Sequence, residues 1–274
     1  MKRAHLAAIG AAALALAPLS AHAQSLDDAI AAAIETSPVL DAADARVDGA
    51  RARLTQARSA FRPQVTARGQ YAQAETDYGA GTIEIEPRSG VIAAEQLIFS
   101  GGRAIAGARQ ARAGRDATIA ERNGVRGALI ADAAEAYLGV LSSHRAVQLR
   151  SANLAALTRL ADQAQLRFDA GDIPRSELAQ AQARRASALA AMAQARAEDA
   201  AAVSRFRRII GIEPGDLDAI TTPPEAPLAL DEAIRAAQDA NPQLIALREA
   251  EDAASAGVWR AAAQHAPTVA VSLE

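Results

Sequence analysis

The sequence has no cysteine, and its one lysine is Lys2. Disulfide frameworks, thiolate nucleophiles and cysteine-based zinc sites are thereby excluded. Aromatic residues are almost as scarce, at 3% of 274 residues, whereas 76 residues are alanine, more than half of the 50% that is hydrophobic. A core built mainly from such small side chains requires backbones to approach closely, which suits packed helices far better than sandwiches or open sheets. Ordinary mixed enzyme folds are disfavoured. Neither sign of charge dominates, with 29 basic and 32 acidic side chains for a net −3. There is no basic surplus to follow a phosphate backbone, so nucleic acid is not an expected partner.

What is present begins at the N-terminus. Lys2, Arg3 and His5 precede an apolar stretch from Leu6 to Leu19, followed by Ala21-His22-Ala23. A charged segment, a short apolar run and a small-x-small site read as a secretory signal peptide over residues 1–23, cleaved after Ala23. The short span and Pro18 count against a membrane anchor. Beyond residue 23 no stretch approaches the ~18 uncharged apolar residues of a membrane-spanning helix; the best candidate, Ala128 to Leu141, carries Asp132 and Glu135.

The segment from Leu26 to Gln70 aligns without a gap to Leu230–Glu274 at a constant offset of 204, with 15 of 45 positions identical. Several identities are alanines and carry little weight. Leu26/Leu230, Ile30/Ile234, Pro38/Pro242, Leu40/Leu244, Pro63/Pro267 and Val65/Val269 carry more, because the two prolines keep both spacing and neighbours. The expected organisation is a first repeat over 24–227 and the start of a second over 228–274, so that the chain holds one whole repeat and about a fifth of the next.

Within the first repeat, Ser25 and Asp28 form a capping-box-like start to a helix over 26–62, which Pro38 bends or restarts. Two strand candidates, Gln64–Tyr78 and Ser89–Ser100, flank the loop GAGTIEIEPR and make a β-hairpin over 64–100. Tyr71, Tyr78 and Phe99 concentrate there. Strand text alone leaves two readings open, an amphipathic hairpin on a soluble core and two strands of a transmembrane barrel, which need about 9–11 residues each and interfacial aromatics. Gly101-Gly102 breaks the hairpin, and no proline follows until Pro174, which predicts a single helix over 103–168, about 100 Å long at 1.5 Å per residue. Val147, Leu154, Ala161 and Phe168 recur at sevens with Leu157 and Ala164 between them, a coiled-coil seam. Gly171 and Pro174 mark a reversal into a helix over 174–210, and a proline-rich linker over 211–227 leads to the second copy. The helices over 26–62 and 174–210 are each about 55 Å, so stacked end to end they match the long one. Such a rod leaves its apolar stripe uncovered and needs further copies of itself.

In order and spacing, the turn QLRFDAGDIPRSELAQAQAR, the strand-to-helix passage EQLIFSGGR and the paired SP and NP of the two repeats resemble the TolC family of outer-membrane channel proteins, over essentially the whole mature chain. The resemblance implies a mainly α fold of very long antiparallel helical hairpins with a transmembrane β-hairpin, assembled as a homotrimer with a 12-stranded β-barrel in outer-membrane lipid. It further implies a periplasmic adaptor and an inner-membrane transporter as partners, and a role as exit duct for drugs or secreted polypeptides. GDIPRSELAQA and the GGR start of the long helix are more similar to the type I secretion branch than to the drug-efflux lipoproteins, which carry an N-terminal lipid-bearing cysteine. By the same resemblance Arg167, Phe168, Gly171, Ser176, Glu177 and Leu178 form the periplasmic tip, where the adaptor docks and the channel narrows, and Tyr71, Tyr78 and Phe99 are membrane-interface aromatics. Glu177 stands where the family often has aspartate, and its gate partners belong to the second repeat; as a plain helix residue it is a solvated first-turn acid favoured by the dipole.

No constellation supports catalysis, and no cofactor or metal is implied. His144 and His265 lack a second ligand at metal spacing. Gly79-Ala80-Gly81 and Gly101-Gly102 lack the lysine or following glycine of a phosphate loop. Glu84 and Glu86 alternate with isoleucines as a solvated edge does, and the arginines around Arg103, Arg109, Arg112 and Arg115 read as a solvated helical face. The competing reading is a periplasmic adaptor or a structural coiled-coil protein without a pore; an adaptor would flank its hairpin with Gly/Val-rich lipoyl and barrel sequence, whereas this chain repeats a helix.

Overall fold

The computed structural model describes residues 24–77, 82–220 and 229–273. The signal segment, Tyr78, and Pro223, Pro224 and Pro227 of the linker lie outside the described residues. The element order is α1 (Leu26–Thr36), α2 (Pro38–Ser59), β1 (Gln64–Tyr71), β2 (Ala74–Asp77), β3 (Thr82–Ile85), β4 (Arg88–Phe99), α3 (Arg103–Asp169), α4 (Arg175–Ile210), α5 (Leu230–Ala240), α6 (Pro242–Ala262) and, after a single 3-10 turn, β5 (Val269–Leu273). Two compact units are present, and α3 contributes to both.

The first unit comprises residues 24–29, 137–207 and 213–220. Its body is the hairpin of α4 with the later part of α3. On α3, Val140, Val147, Leu154, Ala161 and Phe168 are buried or half-buried at steps of seven; on α4, Ala181, Ala188, Ala195 and Ala202, with Met192 and Phe206, do the same. This two-in-seven seam is that of a coiled coil, and alanine at so many of its positions lets the helices lie close. Tyr137 is fully buried, and its hydroxyl lies 2.7 Å from Gln24 O and 2.8 Å from Asp218 O. Gln24 is bridged to Leu217, donating through its own N–H to Asp216 O at 2.7 Å and accepting from Asp218 N at 3.1 Å. The start of the described chain is thereby tied to the 213–220 loop. Ser25 and Asp28 complete the reciprocal cap of α1: Asp28 N donates to Ser25 Oγ at 3.1 Å, and Ser25 Oγ donates to Asp28 Oδ2 at 2.7 Å. The side-chain bond from Ser25, then its backbone bond, holds the Asp28 carboxyl below its ordinary pKa.

The second unit holds the sheet and the helices above it. The reading of one bent helix over 26–62 gives way to two. Ser37 caps α2, its Oγ accepting from Leu40 N at 3.4 Å, with Pro38 at the first helical position; Asn241 and Pro242 repeat this for α6, with Asn241 Oδ1 accepting from Gln243 N at 2.8 Å. Proline lacks the N–H that a helix start leaves unpaired anyway, so SP and NP are restart signals. α2 ends at Ser59 rather than 62, because Phe61 N and Arg62 N turn back to Arg58 O and Ser59 O ahead of Pro63. α5 begins and ends exactly 204 positions after α1, and α6 begins 204 after α2.

The helices α2 and α6 both lie against α3. Arg122 on α3 forks onto Asp44 on α2 at 2.8 and 3.4 Å. Gly107 and Gly124 on α3 approach Arg260 and Pro242 on α6, so the two helices run antiparallel. The sheet follows the same order. β1 pairs antiparallel with β4, and β4 with β5. β2 and β3 pair separately, so part of the segment read as a loop, Thr82–Ile85, is a strand opposite Ala74–Asp77. Its Thr-Ile-Glu-Ile alternation has the β-branched composition strands favour.

At the sheet-to-helix junction Ser100 is buried, and its hydroxyl accepts from Ala104 N at 3.1 Å while Gly101 and Gly102 take φ of +62° and +89°. A Cβ on Gly101 would meet Ala266 Cβ at 2.2 Å. Gly101→Ala therefore combines a left-handed backbone with a clash, and should lower stability by more than the ~1–2 kcal/mol of left-handed strain alone, read as a drop in Tm; an unchanged Tm would contradict this geometry. Tyr137→Phe should cost about 1–2 kcal/mol in chemical denaturation at neutral pH. Burial first, then the neighbouring Asp218, holds the phenol's pKa above its ordinary value. The fold thus prefers the protonated phenol, and the contribution is complete below the ordinary phenol pKa and fades as pH rises through the raised one.

Candidate functional site

Two places carry the residues singled out in the sequence. At the tip of the α3–α4 hairpin, Gly171 has φ +82°, with Asp172 N bonded to Arg167 O at 2.8 Å and Gly171 N to Phe168 O at 2.9 Å. These paired bonds are a Schellman motif, so the RF-x-x-G pattern is a helix terminator. Nothing lies within 4 Å of a Cβ placed on Gly171, so its backbone conformation alone demands glycine there. Ile173 and Leu178 are buried and clamp the turn, while Arg167, Ser176 and Glu177 are exposed and Phe168 is half-buried. A groove of about 490 Å³ runs along the tip, lined by Leu157, Leu160, Ile173, Arg167, Glu177 and Arg184 among others. Glu177 lies in the first turn of α4, where the helix dipole favours it, and no described side chain pairs with it.

The second place is the three-stranded sheet. Directly opposed residues share a face, which puts Val65, Tyr71, Ile92, Ala94, Val271 and Leu273 on one side and Gln64, Thr66, Arg68, Gln70, Glu95 and Ser272 on the other, where Val91 and Leu97 join them. One extra residue at Ile98 shifts the register between Leu97 and Phe99 and returns Phe99 to the apolar face, opposite Val269. Every residue of β1 and β5 is exposed. Tyr71 pairs with Arg88 at one end of this face, the guanidinium 5.3 Å from the ring, and Phe99 stands at the other. From Arg88 to Phe99 the strand advances about 36 Å, or about 28 Å across a bilayer at ~40° tilt, close to the apolar band of a barrel wall flanked by aromatics. Of the two open readings, a transmembrane strand pair fits these faces. β2 and β3 continue the hairpin past Tyr71. Among the described residues no helix is long and apolar enough to cross a membrane.

The profile of the outer membrane efflux protein family matches residues 29–212. The chain belongs to that family. It is similar to the outer membrane efflux protein BepC of Brucella suis biovar 1 (strain 1330), at 26% identity over 260 residues, covering 92% of this chain and 55% of BepC. Its fold matches the CusC channel with a TM-score of 0.78 and 20% identity over 90% of this chain and 58% of CusC, and the CmeC outer membrane channel of Campylobacter jejuni with a TM-score of 0.78 and 14% identity over 90% and 55%. The fold is therefore that of the TolC-like channels, and the chain spans about half the length of the relatives it matches. The family places it in the outer membrane, with its helical part in the periplasm. Its relatives are outer-membrane channels rather than enzymes.

Against this family background, the six tip residues all lie at one turn, and Tyr71 and Phe99 lie at opposite ends of one face. Tyr78 lies outside the described residues. The arginine face of α3 is two faces: Arg109 and Arg112 line a groove with Glu249 and Asp252 on α6, whereas Arg103 and Arg115 line another, free of acids. Tyr137 had no local signal, because the groups it joins lie far away in sequence. Gly171→Ala should destabilise the hairpin by about 1–2 kcal/mol and raise hydrogen exchange at the tip before the rest of α3 and α4; uniform exchange along both helices would count against the tip as the site of strain.

Proposed function

We propose that this chain forms part of the subunit wall of an outer-membrane exit duct, which passively conducts small toxic compounds or polypeptides received from an inner-membrane pump. The observation that carries the reading is the continuity of a sheet with one apolar and one polar face into a 67-residue helix that reverses at a capped, exposed tip. The subunit assembles as a homotrimer whose barrel sits in outer-membrane lipid, and its partners are a periplasmic adaptor and an inner-membrane transporter. The family description and BepC's name support efflux, while the GDIPRSELAQA turn keeps type I secretion as the second reading. A pore-free adaptor or structural coiled coil has less support, because the exposed apolar face of the sheet would then lack lipid to cover it. The tip groove is the surface offered to the adaptor, and the duct performs no catalysis.

Glu177 restrains the closed tip through polar groups of the neighbouring hairpin in the complete subunit. In planar bilayers, full-length Glu177→Gln channels should conduct more, or open more often, than wild type. Unchanged single-channel behaviour would leave Glu177 a solvated helix-start residue, and absence of any conductance from the wild-type trimer would sink the duct itself.

A further inference from the structure

The second unit carries a groove of about 800 Å³ along α3, bounded by α2 and α6. Its charged lining is entirely basic, Arg53, Arg103, Arg115 and Arg260, with no aspartate or glutamate among the lining residues. Arg115 donates through both Nε and Nη2 to the single oxygen Asp116 Oδ1, at 2.9 and 2.6 Å. The other three have no carboxylate partner among the described residues, although acids are plentiful elsewhere on the same helices. Gln110 also lines the groove, and its Oε1 is buried without a hydrogen-bond partner. Alanines and Leu97 make up much of the rest.

Leu97 fixes which side of the wall this is. It stands with Glu95 and Val91 on the polar face of β4, opposite in sense to Ile92 and Tyr71. Trp259 and Ile105 line a different groove between α3 and α6. If the apolar face meets lipid, the groove with Leu97 opens to the lumen. Guanidinium groups are weakly hydrated and present a planar fork that matches carboxylate, sulfonate or phosphate. A concave surface lined by one sign of charge raises the local concentration of the opposite ion.

We propose that this groove is an anion-recognising subsite on the inner wall of the duct, and that it takes organic anions whose apolar part lies on the alanines while a donor on the same molecule satisfies Gln110 Oε1. The inference rests on the duct reading, and deepens it by naming a substrate class. Rings of arginine on pore walls favour anions in just this way.

The test uses trimers of the full-length subunit in planar bilayers under a KCl gradient. Replacing Arg53, Arg103 and Arg260 together by glutamine should shift the reversal potential toward the potassium equilibrium potential. The same variant should raise the concentration of aminonaphthalene disulfonate, whose amine is a donor, needed to block half the current. Arg58→Gln, an exposed arginine of α2 outside the groove, should change neither. Conducting triple-variant channels with wild-type reversal potential and block overturn the anion subsite while leaving the duct intact, and an Arg58 effect of equal size overturns its location. A wild-type trimer that does not conduct defeats the duct reading instead.

Discussion

A helix of 67 residues whose seam is largely alanine buries little surface per turn, and this constraint governs the rest of the molecule. Small side chains bring backbones close, but each contributes few contacts, so the helix is held only where a partner runs beside it. The first copy of the repeat shows what pairing achieves. Ala29, Ala33, Leu40, Ala50 and Leu54 are all buried. Of their counterparts 204 positions later, Ala237, Leu244, Ala254 and Val258 are exposed and Ala233 is half-buried, with Leu54 at 4% and Val258 at 70%. α2 has the following long helix beside it, with the Asp44–Arg122 fork across the contact. Nearly the same sequence pattern is thus buried in one place and exposed in the other.

The turns obey a second constraint. Among the described residues, the four glycines with positive φ, Gly101, Gly102, Gly171 and Gly211, lie at ends of elements. At Gly171 the backbone conformation alone matters. At Gly211 space matters as well, because a Cβ would sit 2.5 Å from Thr36 Oγ1, the hydroxyl that donates to Ile210 O at 3.0 Å. Long elements that end in such turns reverse within a few residues.

Features recorded locally in the sequence were legible: the Pro38/Pro242 restarts, the seam at sevens, the glycine after Arg167-Phe168, and the repeat whose offset reappears in α1 and α5. The tip residues came from resemblance, but their geometry explains why the motif has that form. What was not legible depends on partners distant in sequence. The alternation of Thr82–Ile85 is only four residues long beside a glycine-rich turn, so nothing but its pairing with Ala74–Asp77 distinguishes it from loop. Tyr137 sits in an alanine-rich helical run, and its two carbonyl partners lie 113 and 81 residues away. The sequence concentrates three of its scarce aromatics near the strands, yet Tyr137 and Phe206 are fully buried in the helical part.

The arginines make the same point about function. Along α3 they recur closely enough to look like one solvated face, because a helix projects residues 103, 109, 112 and 115 over a broad arc. The positions of α2 and α6 separate them, giving Arg109 and Arg112 the acidic neighbours Glu249 and Asp252 on α6, while Arg103 and Arg115 line a groove to which α2 and α6 contribute no acid. If the chain lines a duct as proposed, each residue of its wall faces either the inside or the outside, so that wall sorts charge as it sorts apolar surface in the sheet. A duct with no closed binding pocket can still discriminate among solutes, because whatever passes must travel along the inward-facing half of that sorted charge.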